Sequence, residues 1–169
     1  MSSITLTGRQ PVLADRIFGR VLAVDLVLVI AGAFLTALLA QVTIPLWPVP
    51  ITGQTLAVLL VGATLGLRRG AASLALYAVL GLVGLPVYAP QDDGGHLTGL
   101  AALAAPSFGY IIGFIFAAGL VGWLSERTWD RKFLKALATF VGGSVVVFAF
   151  GLPWLAVVEH EPDRPGYAV

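Results

Sequence analysis

Five apolar stretches, at 21–43, 54–68, 70–88, 107–124 and 133–158, fill most of this sequence and leave few charged residues between them. A helix that crosses a bilayer needs about 20 consecutive, mostly apolar residues, and backbone inside hydrocarbon must satisfy its own N–H and C=O groups. The chain therefore reads as an all-α integral membrane protein, a bundle of about five transmembrane helices. Composition agrees: 58% of the 169 residues are hydrophobic and 11% are charged, against about a quarter charged in a soluble domain. The second stretch is short for a span, so shielding by neighbours or extension by the preceding segment is expected. The fifth is long and carries Gly151 and Pro153 in its last third, so a kink or an early end is expected there.

Charge placement orients the bundle. Residues 1–20 are polar, and the apolar run from Val21 is longer than the roughly 7–15 residues of a signal-peptide core, with no clean small-residue cleavage site after it. It reads as a retained first helix. Arg9, Arg16 and Arg20 precede that helix, Arg68 and Arg69 separate the second and third, and Arg127, Arg131, Lys132 and Lys135 surround the turn before the fifth. With alternating helices these residues share one side, which leaves only Arg164 of the 10 Lys and Arg on the other. The positive-inside rule then makes the N-terminus cytoplasmic and turns the loops 44–53 and 89–106 outward. The expected organisation is a cytoplasmic segment 1–20, a transmembrane bundle 21–158 and a polar tail 159–169, in a multi-pass protein of the plasma membrane.

Both outer loops are long enough to build something. In PLWPVPITGQT (45–55), prolines at 45, 48 and 50 hold the chain extended, and Gln54 begins a helix with an amide at membrane depth. An unpaired amide is costly in hydrocarbon, so Gln54 requires a partner helix, water or a ligand; a helix bridge and a ligand contact both remain open. In the second loop, Asp92, Asp93 and His96 read as a solvated tip around Gly94 and Gly95, a pair suited to a tight turn or to close approach of backbone to a ligand. Ser107 is placed to cap the next helix, Gly109 and Gly113 form a face for close packing, and Tyr110 lies one turn in. In the first helix, Ala33 and Ala37, with Gly32 and Ala40, make another smooth face, for packing within the bundle or against another subunit. Asp25 is expected at the inner interface, because a lone carboxylate deeper in lipid is expensive.

Several function classes are excluded. With no cysteine there is no disulfide or thiolate metal site, and a net charge of +1 is too small to suggest nucleic acid. One acidic pair and one histidine make neither a metal site nor a catalytic dyad. Walker-type loop, nucleophile elbow and zinc-binding His-Glu pattern are all missing. The chain is not read as an enzyme, and any energised function needs partners.

The order of these pieces resembles the BioY family, the biotin-binding S-component of energy-coupling-factor (ECF) vitamin transporters. The resemblance is carried by QVTIPLWPVPITGQTLAVLLVGATLGLRRGAASLALYAVLGLVGLPVYA, by GGHLTGLAALAAPSFGYIIGF and by the shorter GLPWLA, together roughly residues 30–155. It implies a six-helix membrane fold that captures biotin in an outward-facing cavity, with Gln54, Tyr88, Gly94, Gly95, Ser107, Gly109 and Tyr110 at the substrate and no cofactor. It also implies docking, through the Ala33 and Ala37 face, on a transmembrane coupling protein powered by two ATPase subunits, although some members are thought to act without that module. Ser107 stands where the family has threonine, which keeps the hydroxyl. The tail EHEPDRPGYAV is short, polar and broken by proline, so a sixth helix with its acid and lysine is expected to have no counterpart here. A missing cation opposite the biotin carboxylate is expected to weaken binding on the order of a hundredfold. Two alternatives accompany this reading: an S-component for another vitamin, and a shortened, non-transporting protein that docks on a coupling subunit.

Overall fold

The structure, a computed structural model, describes residues 12–18, 22–44, 51–91, 94–129 and 132–159. In chain order these form α1 (Leu13–Phe18), α2 (Leu22–Ala40), β1 (Thr43–Ile44), β2 (Ile51–Thr52), α3 (Gln54–Leu82), a 3-10 helix (Gly99–Ala104), α4 (Phe108–Ser125) and α5 (Phe133–Glu159). The fold is all-α apart from the antiparallel β1–β2 ribbon, which pairs Thr43 with Thr52 and Ile44 with Ile51. Four of the described helices, α2 to α5, are long and apolar enough to cross a membrane.

One of these four, α3, is a hairpin. Gly66 inside it has φ 83° and ψ −178°, a conformation open essentially to glycine alone. A straight helix would separate residues 54 and 77 by roughly 35 Å, yet the Gln54 amide donates to the Tyr77 hydroxyl. A Cβ on Gly70 would lie 3.2 Å from the Gly62 Cα, so the arms 54–65 and 67–82 run antiparallel in contact. Among the described residues, α2, the two arms of α3, α4 and α5 give five long helical segments, as the apolar pattern predicts, although the break falls before Arg68 and Arg69. The first arm, at about 18 Å, is shorter than the roughly 30 Å hydrocarbon core. The ribbon continues it at its N-terminal end.

Helix α4 lies at the centre, against the α3 hairpin on one side and α5 on the other. A Cβ on Gly62 would come within 2.7 Å of the Ala118 carbonyl oxygen, and one on Gly122 would collide with the backbone of Gly66. Small residues here let backbones meet, which is how membrane helices gain dispersion contacts without a hydrophobic driving force. Val58, Val61, Leu74, Tyr77, Ala117 and Ala118 fill the resulting core. Gly32 of α2 packs on Ser73 in the second arm. Leu26, Ile30 and Phe34 of α2 and Val141 and Val145 of α5 remain exposed, an arrangement suited to lipid rather than water.

Polar groups gather where the hairpin turns. Arg69 binds Asp15 of α1 at 2.8 Å and Asp25 of α2 at 2.5 Å. Asp25 is therefore paired at the helix end. Glu126, just after α4 and only 8% exposed, accepts the Leu67 backbone N–H at 3.0 Å. The Gly66 break leaves that N–H at the start of the second arm without a helical partner, and a carboxylate at a helix N-terminus satisfies both the donor and the dipole.

Other expectations are corrected. The second arm ends at Leu82, not residue 88, because Gly84 turns the chain with φ 111°, which places Tyr88 in a loop. Of the kink or early end expected at Gly151 and Pro153, the early end does not occur, since α5 continues through Pro153 to Glu159. Ser107 holds the N-cap position of α4 but makes no side-chain capping bond. His96 is half-buried rather than a solvated tip, and its Nδ1 meets the Tyr88 carbonyl at 2.9 Å. Asp92, Asp93 and Arg164, and the prolines at 45, 48 and 50, lie outside the described residues.

Replacing Gly66 with Ala forces a side chain into a glycine-only conformation, 2.7 Å from Glu126 Oε1. A loss of about 1–3 kcal/mol is expected, read as a lowered thermal midpoint in detergent. An unchanged midpoint would show that the hairpin does not need this turn.

Candidate ligand-binding cavity

At the end of the bundle away from Arg69 and Glu126, the helices part around a cavity of about 400 Å³, within the usual range for small-molecule sites. Each element contributes to its lining for a local reason. The ribbon delivers Ile51 and Thr52, and the first turn of α3 supplies Gln54 and Thr55. After the Gly84 turn, the loop brings in Tyr88 and Gln91. The 3-10 helix closes one side with Ala102. Ser107, Tyr110, Ile111 and Phe114 face in from α4, and Val147, Phe148, Leu152 and Leu155 from α5.

Three aromatic side chains are each seated on a glycine. The Tyr88 ring lies over Gly81, the Tyr110 ring over Gly151, and Trp154 over Gly109. Tyr88 stands edge-on to Tyr77 with centroids 5.5 Å apart, and its hydroxyl donates to the Ala78 carbonyl at 2.6 Å. Burial pushes this hydroxyl, outside the membrane-spanning helices, up to about 12, so it stays a neutral donor at physiological pH. The Tyr88 carbonyl accepts from His96 Nδ1 at 2.9 Å and from Gln41 Nε2 at 3.4 Å. Tyr110 meets Phe148 edge-on at 5.9 Å. Trp154 donates from Nε1 to the Ala105 carbonyl at 3.0 Å and ties α5 to the end of the 3-10 helix.

The polar lining divides into engaged and unengaged groups. The Thr52 hydroxyl donates to Gln54 Oε1 at 2.8 Å, and Gln54 Nε2 donates to the Tyr77 hydroxyl. An amide has two donors and about two acceptor positions, so Gln54 keeps one donor and one lone pair. Among the described residues, the side chains of Thr55, Gln91, Ser107 and Tyr110 have no hydrogen-bond partner within the chain. The described lining contains no charged side chain. Such a site can grip a mostly apolar molecule that carries several hydrogen-bonding atoms. It holds no nucleophile–base pair, and no cluster of metal-ligating side chains occurs among the described residues.

Of the residues singled out from sequence, Gln54, Tyr88, Ser107 and Tyr110 come together here. Gly109 instead admits Trp154 and packs α4 on α5. Gly94 and Gly95 are exposed and lie outside the lining, but they bracket a lining residue: Gln91 N–H donates to the Gly95 carbonyl at 2.8 Å, and Gly94 N–H to the Gln91 carbonyl at 2.9 Å. Ala33 is 1% exposed and sits in the core, with Ala37 packed beside it. Sequence reasoning missed Thr55, Gln91 and the α5 wall. The adjacency of Thr52, Gln54 and Thr55 was a readable sign of a polar helix start, whereas nothing in an apolar helix such as α5 marks which residues face a cavity.

Residues 10–164 match the model of the BioY family. The chain belongs to the BioY family. It is 40% identical over 128 residues to "Biotin transporter BioY" of Rhizobium etli, covering 72% of this chain and 66% of that protein. To "Biotin transporter BioY" of Thermotoga maritima it is 37% identical over 137 residues, covering 79% of this chain and 76% of that protein. The chain spans about two thirds of the length of the first of these relatives. Among solved structures it is similar to the S-component for biotin from an ECF-type ABC transporter, with TM-score 0.65 and 26% identity, covering 79% of this chain and 71% of that one. Membership of this transporter family, with several membrane-spanning helices, makes the chain a membrane protein and not an enzyme.

A Cβ on Gly81 would overlap the Tyr88 ring. Gly81→Ala is therefore expected to displace Tyr88 and lower stability by about 1–3 kcal/mol, the usual cost of overpacking. Thermal melting in detergent reads this, and a wild-type midpoint would mean the ring is not seated as described.

Proposed function

We propose that this BioY protein captures biotin at the outer face of the plasma membrane, in the cavity described above, and delivers it inward as an S-component, with or without an ECF energising module. In this reading the N-terminus and the basic turns face the cytoplasm. The carrying observation is a cavity with aliphatic and aromatic walls in which the hydroxyls of Thr55, Ser107 and Tyr110 and the amide of Gln91 are left unengaged by the protein itself. Family membership and the names of the relatives support the choice of biotin.

The chemistry of the ligand matches these groups. Biotin combines a ureido ring, an apolar sulfur-containing ring and a carboxylate. The ureido ring calls for paired donors and acceptors, which Gln54, Thr55, Gln91 and Ser107 supply. Phe114, Phe148 and Tyr110 supply a wall for the apolar ring. The N-terminal turn of α4 at Ser107 offers the positive end of a helix dipole to the carboxylate. Gly94 and Gly95 act through the turn that holds Gln91. A coupling protein would meet α2 on its exposed face around Leu26, Ile30 and Phe34, since Ala33 is occupied inside the bundle.

Equilibrium binding to the purified chain in lipid nanodiscs, with a panel of competing vitamins, tests the proposal. Saturable biotin binding that only biotin displaces is expected. No binding, or displacement by another vitamin, would sink it. In the same assay Tyr110→Ala should weaken binding by roughly 1–2 kcal/mol, about five- to thirtyfold, with membrane insertion intact. Unchanged affinity would remove Tyr110 from the site.

A further inference from the structure

Tyr77 lies in the second arm of α3, is fully buried and does not line the cavity. Its hydroxyl nevertheless accepts the Gln54 amide across the hairpin. On the other side, the Thr52 hydroxyl donates to Gln54 Oε1 at 2.8 Å, while its oxygen receives the Gln54 backbone N–H at 3.3 Å. The amide is thus held between two hydroxyls from two different elements. Both are well anchored. Thr52 belongs to the paired ribbon, and the Tyr77 ring is fixed edge-on by Tyr88.

A free glutamine side chain loses up to about 2 kcal/mol of rotamer freedom when it is ordered, and its amide can present either end to a ligand. We infer that Tyr77 is a positioning residue. Without touching ligand, it holds the Gln54 amide in one orientation, so that a fixed donor and a fixed acceptor point into the cavity. A ligand with a complementary donor–acceptor edge, such as a cyclic urea, then meets an amide already ordered for it. The thermodynamic consequence is that Tyr77 contributes to affinity only through Gln54. A tyrosine serving merely to join the hairpin arms would contribute to stability and leave the ligand edge alone.

The affinity part of this inference rests on the biotin reading, so the test has one readout that needs no ligand. In protein labelled with nitrogen-15 at glutamine side chains and held in nanodiscs, hydrogen–deuterium exchange of the Gln54 amide, assigned by its loss in Gln54→Ala, is compared with that in Tyr77→Phe. Exchange about tenfold faster in the variant is expected from one lost hydrogen bond, and equal rates would overturn the inference. The second readout is biotin affinity. Tyr77→Phe should bind about tenfold more weakly than wild type, and the same change in a Gln54→Ala background should add nothing. An additive effect in the double variant, or wild-type affinity in the single one, would overturn it. Failure of the wild type to bind biotin defeats the functional reading, and the exchange comparison then decides the role of Tyr77. If Tyr77→Phe does not fold, Thr52→Val opens the other side of the clamp and is read by the same exchange measurement.

Discussion

Everything at both ends of this bundle depends on backbones meeting in the middle. Glycine faces the partner backbone at Gly62 against Ala118 and at Gly122 against Gly66, and Gly113 lies against Val147 in the same way. In hydrocarbon, helix association gains little from burying apolar side chains and is driven by van der Waals contact, so close approach is the main source of cohesion. The Gly66 reversal belongs to the same crossing. It brings the two arms of α3 into contact, sets them against α4, and delivers Gln54 and Tyr77 to one end.

The ends then differ in how they treat polarity. Around Arg69, charged groups pair with one another and with a freed backbone N–H, which ties α1, α2, α3 and the end of α4 together. At the other end, neutral groups are held partly by the protein and partly left open. There the engaged atoms of Thr52, Gln54, Tyr77 and Tyr88 form a frame, and Thr55, Gln91, Ser107 and Tyr110 project their unengaged atoms into the cavity. Pairing at one end gives rigidity, and incomplete pairing at the other leaves hydrogen-bonding capacity for a ligand.

Some of the site was readable from residue type alone. Gln54 stood out because an amide at membrane depth requires a partner, and Tyr110 because it follows a helix start marked by Ser107 and Gly109. Gly94 and Gly95 drew attention as a possible contact, and in the structure they close the turn that holds Gln91. The Ala33 face left open packing within the bundle or against another subunit, and in the structure Ala33 packs α2 on its own bundle. A small-residue pattern specifies close approach without specifying the partner. Tyr77 and Glu126 gave no signal, since one sat within an apolar run and the other among charges near a turn.

By itself, the sequence determined that the chain is helical and lies in a membrane, roughly how many apolar segments it has, which ends carry the positive charge, and, through its motifs, the BioY family. Those properties follow from local composition and periodicity, which each segment carries on its own. Only the tertiary structure decided where the α3 hairpin turns, which face of α2 is covered, that α5 walls the cavity, and that the Gln54 amide is clamped between Thr52 and Tyr77. Each of these depends on contacts between residues distant in the chain, set by backbone approach at glycines, and a one-dimensional apolar pattern contains no record of which helices meet.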